Sequence, residues 1–223
     1  MESEIMKAVE LYLTNYFYGI ELAPALFYET NKAIRFEISE SIAYDEPDFL
    51  KQAFYRSITL FEAVFRDEDD IILVTDVHTN NHFLRAKPLH VYSKYVKRKD
   101  LLYKLRFSTV PNLYGDEEEL VTHRFSLSCK KQDVRYKQLL KAICYEDFAD
   151  PTTILKHNPE SGYDIFFINQ SKNIIYHLYD DRGCDIIASD KESIRFLYEQ
   201  YTDWILEYDK AEVDQVFSLN NYS

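Results

Sequence analysis

The sequence predicts an α+β protein: two mixed sheet-and-helix lobes, with mainly antiparallel strands, packed as one compact unit. Three observations lead there. The chain has 223 residues, 46% of them hydrophobic, enough to bury a sizeable core in one large domain or two small lobes. Apolar residues recur at helical spacing in separate stretches near both ends and in the middle. Short apolar runs divided by polar turns, above all between Asp164 and Ala188, read as a three-stranded antiparallel meander.

The first helix follows Ser3, with Ile5, Val9, Tyr12, Leu13 and Tyr16 on one face and Gly19 as its stop. Ala25–Tyr28 and Ile34–Ile38 read as strands around a polar turn. Pro47 and acidic residues open a second helix, whose face is Leu50, Phe54, Ile58, Phe61 and Phe65. The acidic turn Asp67–Asp70 leads into Ile71–Val74, an apolar run without alternation, which marks a strand buried on both faces. Pro88 and the polar stretch after it suggest a connection, dividing the chain into an N-terminal lobe at 1–90 and a C-terminal lobe at 91–223. The second lobe opens with strands at Leu101–Val110 and Leu120–Ser128. A helix then carries Tyr136, Leu139, Leu140 and Ile143 on one face, with Asp133 as N-cap. After the meander, Asp190 caps a final helix with Ile194, Leu197, Tyr198, Tyr201, Ile205 and Tyr208 inward.

Composition excludes several function classes. There are four glycines, and the two nearest, Gly162 and Gly183, stand 21 positions apart. A phosphate-cradling loop needs several glycines within about eight residues, so that backbone amides can approach the phosphate, which rules out Walker, Rossmann and kinase-type loops. No apolar stretch reaches the roughly 18–20 residues that span a bilayer, and the N-terminus lacks the basic and apolar regions of a secretory signal. A cytoplasmic location is therefore expected. Cys129, Cys144 and Cys184 are widely spaced and read as free thiols. The net charge is −12, yet residues 85–110 hold eight basic residues against Asp100 alone. This basic belt, interleaved with Tyr92, Tyr95 and Tyr103, has the makings of a single-strand nucleic-acid surface. The acidic whole repels polyanions, however, so pairing with the protein's own acidic lobes or with another copy is favoured.

Candidate chemistry is sparse. Asp76, His78 and His82 have a ligand-like spacing but read as a solvated loop. No Glu-x-Lys or Asp-x-Lys occurs, which disfavours a restriction-type nuclease. No nucleophile elbow accompanies Cys144, Cys184 and His177, although Cys184, in a turn after Gly183, reads as an exposed thiol. The most patterned stretch is IIYHLYDDRGCDII, Ile174–Ile187. It makes Tyr176, His177, Tyr179, Asp180, Asp181, Arg182 and Asp185 the candidate partner-binding residues, with Arg182 placed to lock the turn. No catalytic residue, metal or cofactor is expected.

With these residues in view, the chain resembles a bacterial family of uncharacterised proteins sharing a domain of unknown function. The resemblance rests on Ile34-Arg35-Phe36-Glu37, on the helix from Tyr55-Arg56 to Phe65 with the following acidic turn and strand, and on YDDRGCDII, SDKE and YTDWILEYD between Asp164 and Asp209. It implies no activity, so no catalytic residue carries over. Net charge, 19 tyrosines and the lack of a catalytic constellation lead to a non-enzymatic protein-binding protein, of the immunity or antitoxin kind that neutralises a basic toxin. The alternative is an enzyme with a site near His177 and the Asp180–Asp185 turn. A protein partner is expected, with no nucleotide and no membrane; nucleic acid is disfavoured, and a homo-oligomer stays open.

Overall fold

Strand β2 (Asp70–Thr79) is the spine of the structure, buried along nearly its whole length. The apolar run Ile71–Val74 predicts this central place, but the strand continues through Asp76 and His78, which the sequence assigns to a loop. The computed structural model describes residues 7–39, 48–79, 89–110, 121–146, 148 and 161–218. Within them β1 (Ala33–Glu37), β3 (Arg106–Val110), β4 (Val121–Lys130), β5 (Ser161–Asn169), β6 (Ile174–Leu178) and β7 (Gly183–Ala188) complete one seven-stranded sheet. Its order is β1-β7-β6-β5-β2-β4-β3, and every pairing is antiparallel. The fold is α+β, as predicted. The division at residue 90 does not divide the sheet: β2 lies between β4 and β5, and β1 pairs with β7. One cluster of buried apolar side chains runs from Val9 to Phe217.

Helices cover both faces. Helix α1 (Lys7–Phe17) buries Val9, Tyr12, Leu13 and Phe17 and lies over one face, where Arg124 of β4 reaches its Glu10 at 3.3 Å. On the other face lie α2 (Phe49–Val64), α3 (Leu89–Tyr95) and α4 (Tyr136–Cys144). There Phe61 packs edge-on against Phe167 at 4.9 Å, and the Tyr92 hydroxyl donates to the Phe125 carbonyl at 2.9 Å. Phe61 is the centre of this layer, stacked on Phe65 at 4.3 Å and on Tyr136 at 4.9 Å. Asn169 ties the sheet to the end of α2. Its Nδ2 donates to the Val64 carbonyl at 3.0 Å and to Asp69 at 2.7 Å, while its Oδ1 accepts from the amides of Ser171 and Lys172.

Four local expectations change. Ala25–Tyr28 is not a strand: Ala25 takes φ 63°, and Leu26–Glu29 is a 3₁₀ turn that buries both Leu26 and Phe27 against the sheet. Lys99–Lys104 is likewise a 3₁₀ turn, and the strand starts only at Arg106. Asp133 does not cap the helix; it closes the turn Lys131–Asp133 and accepts from the Lys130 amide at 3.1 Å. The final helix breaks up. Asp190 caps the 3₁₀ turn Lys191–Ile194, and α5 (Arg195–Gln200) stops at Tyr201 because Ile205 and Leu206 are drawn onto the outer edge of β1. Helix α6 (Lys210–Phe217) then packs back, with Phe217 stacked on Tyr198 at 5.6 Å. The opening of α2 at Pro47 lies outside the described residues.

Two outcomes follow. Phe61→Ala removes a fully buried ring with aromatic contacts on several sides and is expected to cost about 3–5 kcal/mol, read from urea denaturation. Asp69 is held below the usual carboxylate range: burial pushes it up, but the Arg66 amide, the Asn169 amide and Lys172 outweigh burial. Its contribution is therefore present above its unfolded value of about 3.9 and is lost as pH falls through the lower folded value. Asp69→Asn should flatten the acid limb of a stability–pH curve; an unchanged limb would refute this.

Candidate functional site

The β6–β7 hairpin carries the residues singled out from the sequence, and strand alternation sends them to opposite faces. Tyr176 faces α2 and donates to the Ser57 carbonyl at 2.9 Å. His177 faces α1. It is fully buried, stacks on Phe166 at 4.2 Å, and sets Nε2 3.2 Å from Asp164 Oδ1. Asp164 Oδ2 lies 2.9 Å from His78 Nε2, and His78 Nδ1 lies 2.8 Å from Thr122 Oγ1. One carboxylate of β5 thus bridges two imidazoles from the strands on either side of it, β2 and β6. Next to it, Asp76 takes both ends of the Arg124 guanidinium at 2.9 and 2.6 Å, and burial raises its carboxyl above the ordinary range against that pull. His82 lies outside the described residues. Among those described, no group of three or more His, Cys, Asp and Glu side chains could hold a metal ion.

The turn between the strands is locked from within. Asp180 accepts from the Arg182 amide and from its Nε, each at 2.7 Å, leaving the Arg182 side chain exposed while Asp181 is buried. Cys184 is buried rather than exposed, and burial pushes its thiol upward. Gly183 is required for space: a Cβ there would overlap the Tyr179 hydroxyl and sit 2.9 Å from the Phe36 carbonyl.

Asp185 is the hairpin's link outward. Its carboxylate binds Arg35 of β1 at both oxygens, at 2.7 and 2.9 Å, and accepts the Phe27 amide at 3.0 Å. Burial opposes the charge on Arg35, and the paired carboxylate more than compensates. The guanidinium lies over Tyr28 at 4.7 Å, with Phe27 and Tyr179 around it, and 3.8 Å from Asp209. Tyr28 in turn donates to Asp209 at 3.1 Å.

This buried cluster supports an exposed one along the β1 edge. Leu206 donates its amide to the Arg35 carbonyl at 3.0 Å, which fixes the segment 201–209 beside the strand. From that segment Trp204 packs edge-on against Tyr55 at 5.9 Å and beneath Arg56 at 5.0 Å. Tyr208 is 86% exposed, Tyr55 64% and Tyr28 55%, with Glu29, Asp203 and Glu207 exposed around them. The stretches that carry the family resemblance, IRFE, Tyr55-Arg56, YDDRGCDII and YTDWILEYD, therefore meet at one edge of the sheet.

Of the residues chosen from the sequence, Tyr176, His177, Asp180, Asp181 and Asp185 are buried, Tyr179 is half-buried and Arg182 is exposed. Sequence reasoning passed over Arg35, Asp164, Asp209, Tyr28 and Trp204. One signal was available: a charged residue set between apolar neighbours on a strand, as in Ile34-Arg35-Phe36, Tyr163-Asp164-Ile165 and Cys184-Asp185-Ile186, marks a buried ionic contact.

Asp185→Asn would leave the Arg35 charge buried and short of its partner, and is expected to cost about 3–5 kcal/mol in denaturant unfolding. Gly183→Ala should cost about 1–3 kcal/mol through the same overlap with Tyr179.

The chain matches, over residues 9–209, the family described as Domain of unknown function (DUF3885). It is 34% identical over 206 residues to the uncharacterized protein YnaE of Bacillus subtilis (strain 168), an alignment spanning 88% of this chain and 96% of that protein. No solved structure matches it. The chain belongs to the DUF3885 family.

Proposed function

We propose that the chain is a non-enzymatic protein-binding protein, of the immunity or antitoxin kind, that neutralises a basic partner by covering it with the β1-edge surface. The observation that carries this is the exposed group Tyr28, Tyr55 and Tyr208, with Trp204 beside them, among Glu29, Asp203 and Glu207. Tyrosine and tryptophan supply large contact area at low entropic cost and are enriched at binding hot spots. The acids steer a cationic partner to the surface. Because segment 201–209 is already held by the buried Arg35 cluster, little ordering remains to oppose association.

The geometry gives less support to an enzyme at His177. That histidine has no exposed atom, and its carboxylate partner is Asp164 rather than a residue of the turn. Asp180 is engaged with Arg182, and Asp185 with Arg35, so the groups such an enzyme would need together are held apart. No described helix is long and apolar enough to cross a membrane.

The test is affinity capture from the host lysate at low and high salt, with the wild-type chain and with Tyr55→Ala/Tyr208→Ala. Both side chains are largely exposed, so the double variant should unfold at the wild-type temperature. The expected result is one stoichiometric basic protein, released at high salt and bound at least about tenfold more weakly by the variant. Capture that ignores the variant, or a neutral or acidic partner, would overturn the proposal.

A further inference from the structure

The two edges of the sheet are finished differently. At one end, β1 is bridged by Ile205 and receives the Leu206 amide, so its outer side is occupied. At the other end, β3 pairs only with β4, and no described residue pairs with its outer side. Arg106, Phe107 and Thr109 of this strand are exposed. An open edge presents unsatisfied amides and carbonyls to any chain that can lie along it.

The chemistry around this edge is specific. Lys94, Lys97, Arg98, Lys99, Lys104 and Arg106 are all exposed, against Asp100 alone, in a chain whose net charge is −12. Several of these cations are occupied locally: Lys97 donates to the Gln132 carbonyl at 2.6 Å, Lys99 to the Val96 carbonyl at 2.7 Å, and Arg98 pairs with Asp100. Lys104 and Arg106, just before and at the start of the strand, make no hydrogen bond or ion pair among the described residues, although Lys104 is near enough to Asp100 to help hold its carboxyl down. Two aromatic rings share the edge. Phe107 is 47% exposed, with its inner side on Phe125 at 5.1 Å, and Tyr103 is 94% exposed. Charge on an edge strand guards against pairing between copies, since two such edges repel. A guard alone does not call for exposed aromatic rings beside it; a docking strand does.

We infer that β3 is a second docking surface, distinct from the β1 edge and opposite in charge, which takes an acidic extended segment of a partner protein by strand addition. The backbone of that segment continues the ladder, alternate side chains lie over Phe107, and its carboxylates meet Lys104 and Arg106.

The test uses a short labelled peptide of alternating glutamate and valine, followed by fluorescence anisotropy at low salt. Its controls are a lysine–valine peptide and a glutamate peptide with prolines at alternate positions, which keeps the charge but removes ladder donors. The expected result is saturable binding of the glutamate–valine peptide alone. Lys104→Glu/Arg106→Glu should weaken it by at least about tenfold at an unchanged unfolding temperature, and the amides of 106–110 should exchange more slowly in the complex. Equal binding of the proline peptide would reduce the surface to charge attraction and overturn strand addition. Tighter binding of a single-stranded oligonucleotide would assign the basic belt to polyanions instead, and absence of binding would remove the surface altogether.

Discussion

The bidentate pair between Arg35 and Asp185 is the contact on which the rest of the architecture leans. It joins β1 to β7 across 150 residues of chain, and the same carboxylate takes the Phe27 amide while the same guanidinium reaches Asp209. Four separate parts of the sequence thus share one charge pair in a site with almost no solvent. Buried in this way, the pair adds little net stability over an apolar substitute, but losing either member leaves a charge without a partner. Its consequence is positional: it fixes where β1 lies, and with it the segment 201–209 that lies along β1.

The α1-facing side of the sheet repeats this logic. Strand register places Arg124, Asp76, Asp164, His78, His177, Asp185 and Arg35 on a single face. A face so rich in charge would be unstable against an apolar helix, and α1 meets it with Glu10 while the Leu22 carbonyl accepts from Arg124. Polar networks of this kind hold side chains in one arrangement because each partner satisfies another. His177 Nδ1 and Asp209 Oδ2 are exceptions, each buried without a hydrogen-bond partner among the described residues, although Asp209 Oδ2 lies 3.8 Å from the Arg35 guanidinium. The opposite face has the other character, with Phe61, Phe65, Phe167 and Tyr176 packed ring against ring beneath α2. The two layers therefore differ in physical type: apolar packing on one side, paired charge on the other.

The charge distribution follows from the strand order. β1 and β3 stand at opposite edges of the sheet, so the acidic C-terminal segment ends up at β1 and the basic stretch before β3 at the far edge. Exposed aromatics occur at both ends, Tyr28, Tyr55 and Tyr208 at one and Tyr103 and Phe107 at the other. A strongly acidic chain thereby keeps a local surface of the opposite sign well away from its acidic one.

Much of the fold was legible because it is local. Helical spacing placed α1, α2 and α4, an unbroken apolar run identified β2 as central, and turn residues between apolar runs marked the β5–β6–β7 meander. The scarcity of glycine excluded the phosphate-binding loops outright. The candidate site was legible only as a stretch of chain. Composition singled out the hairpin, but alternation buried most of its polar residues, and the exposed aromatics came from Leu26–Glu29, α2 and the segment after α5. Local periodicity reports which side of an element is apolar; it does not report which element will cover the polar side. That is decided by pairings such as Arg35 with Asp185 and Asp76 with Arg124, whose members are 150 and 48 residues apart and acquire their meaning only when the strands are brought into register. The sequence by itself determined the α+β class, the central strand and the sign of the surface charge. The tertiary structure alone decided which edge of the sheet is covered, which has no paired neighbour among the described residues, and which of the described tyrosines face the solvent.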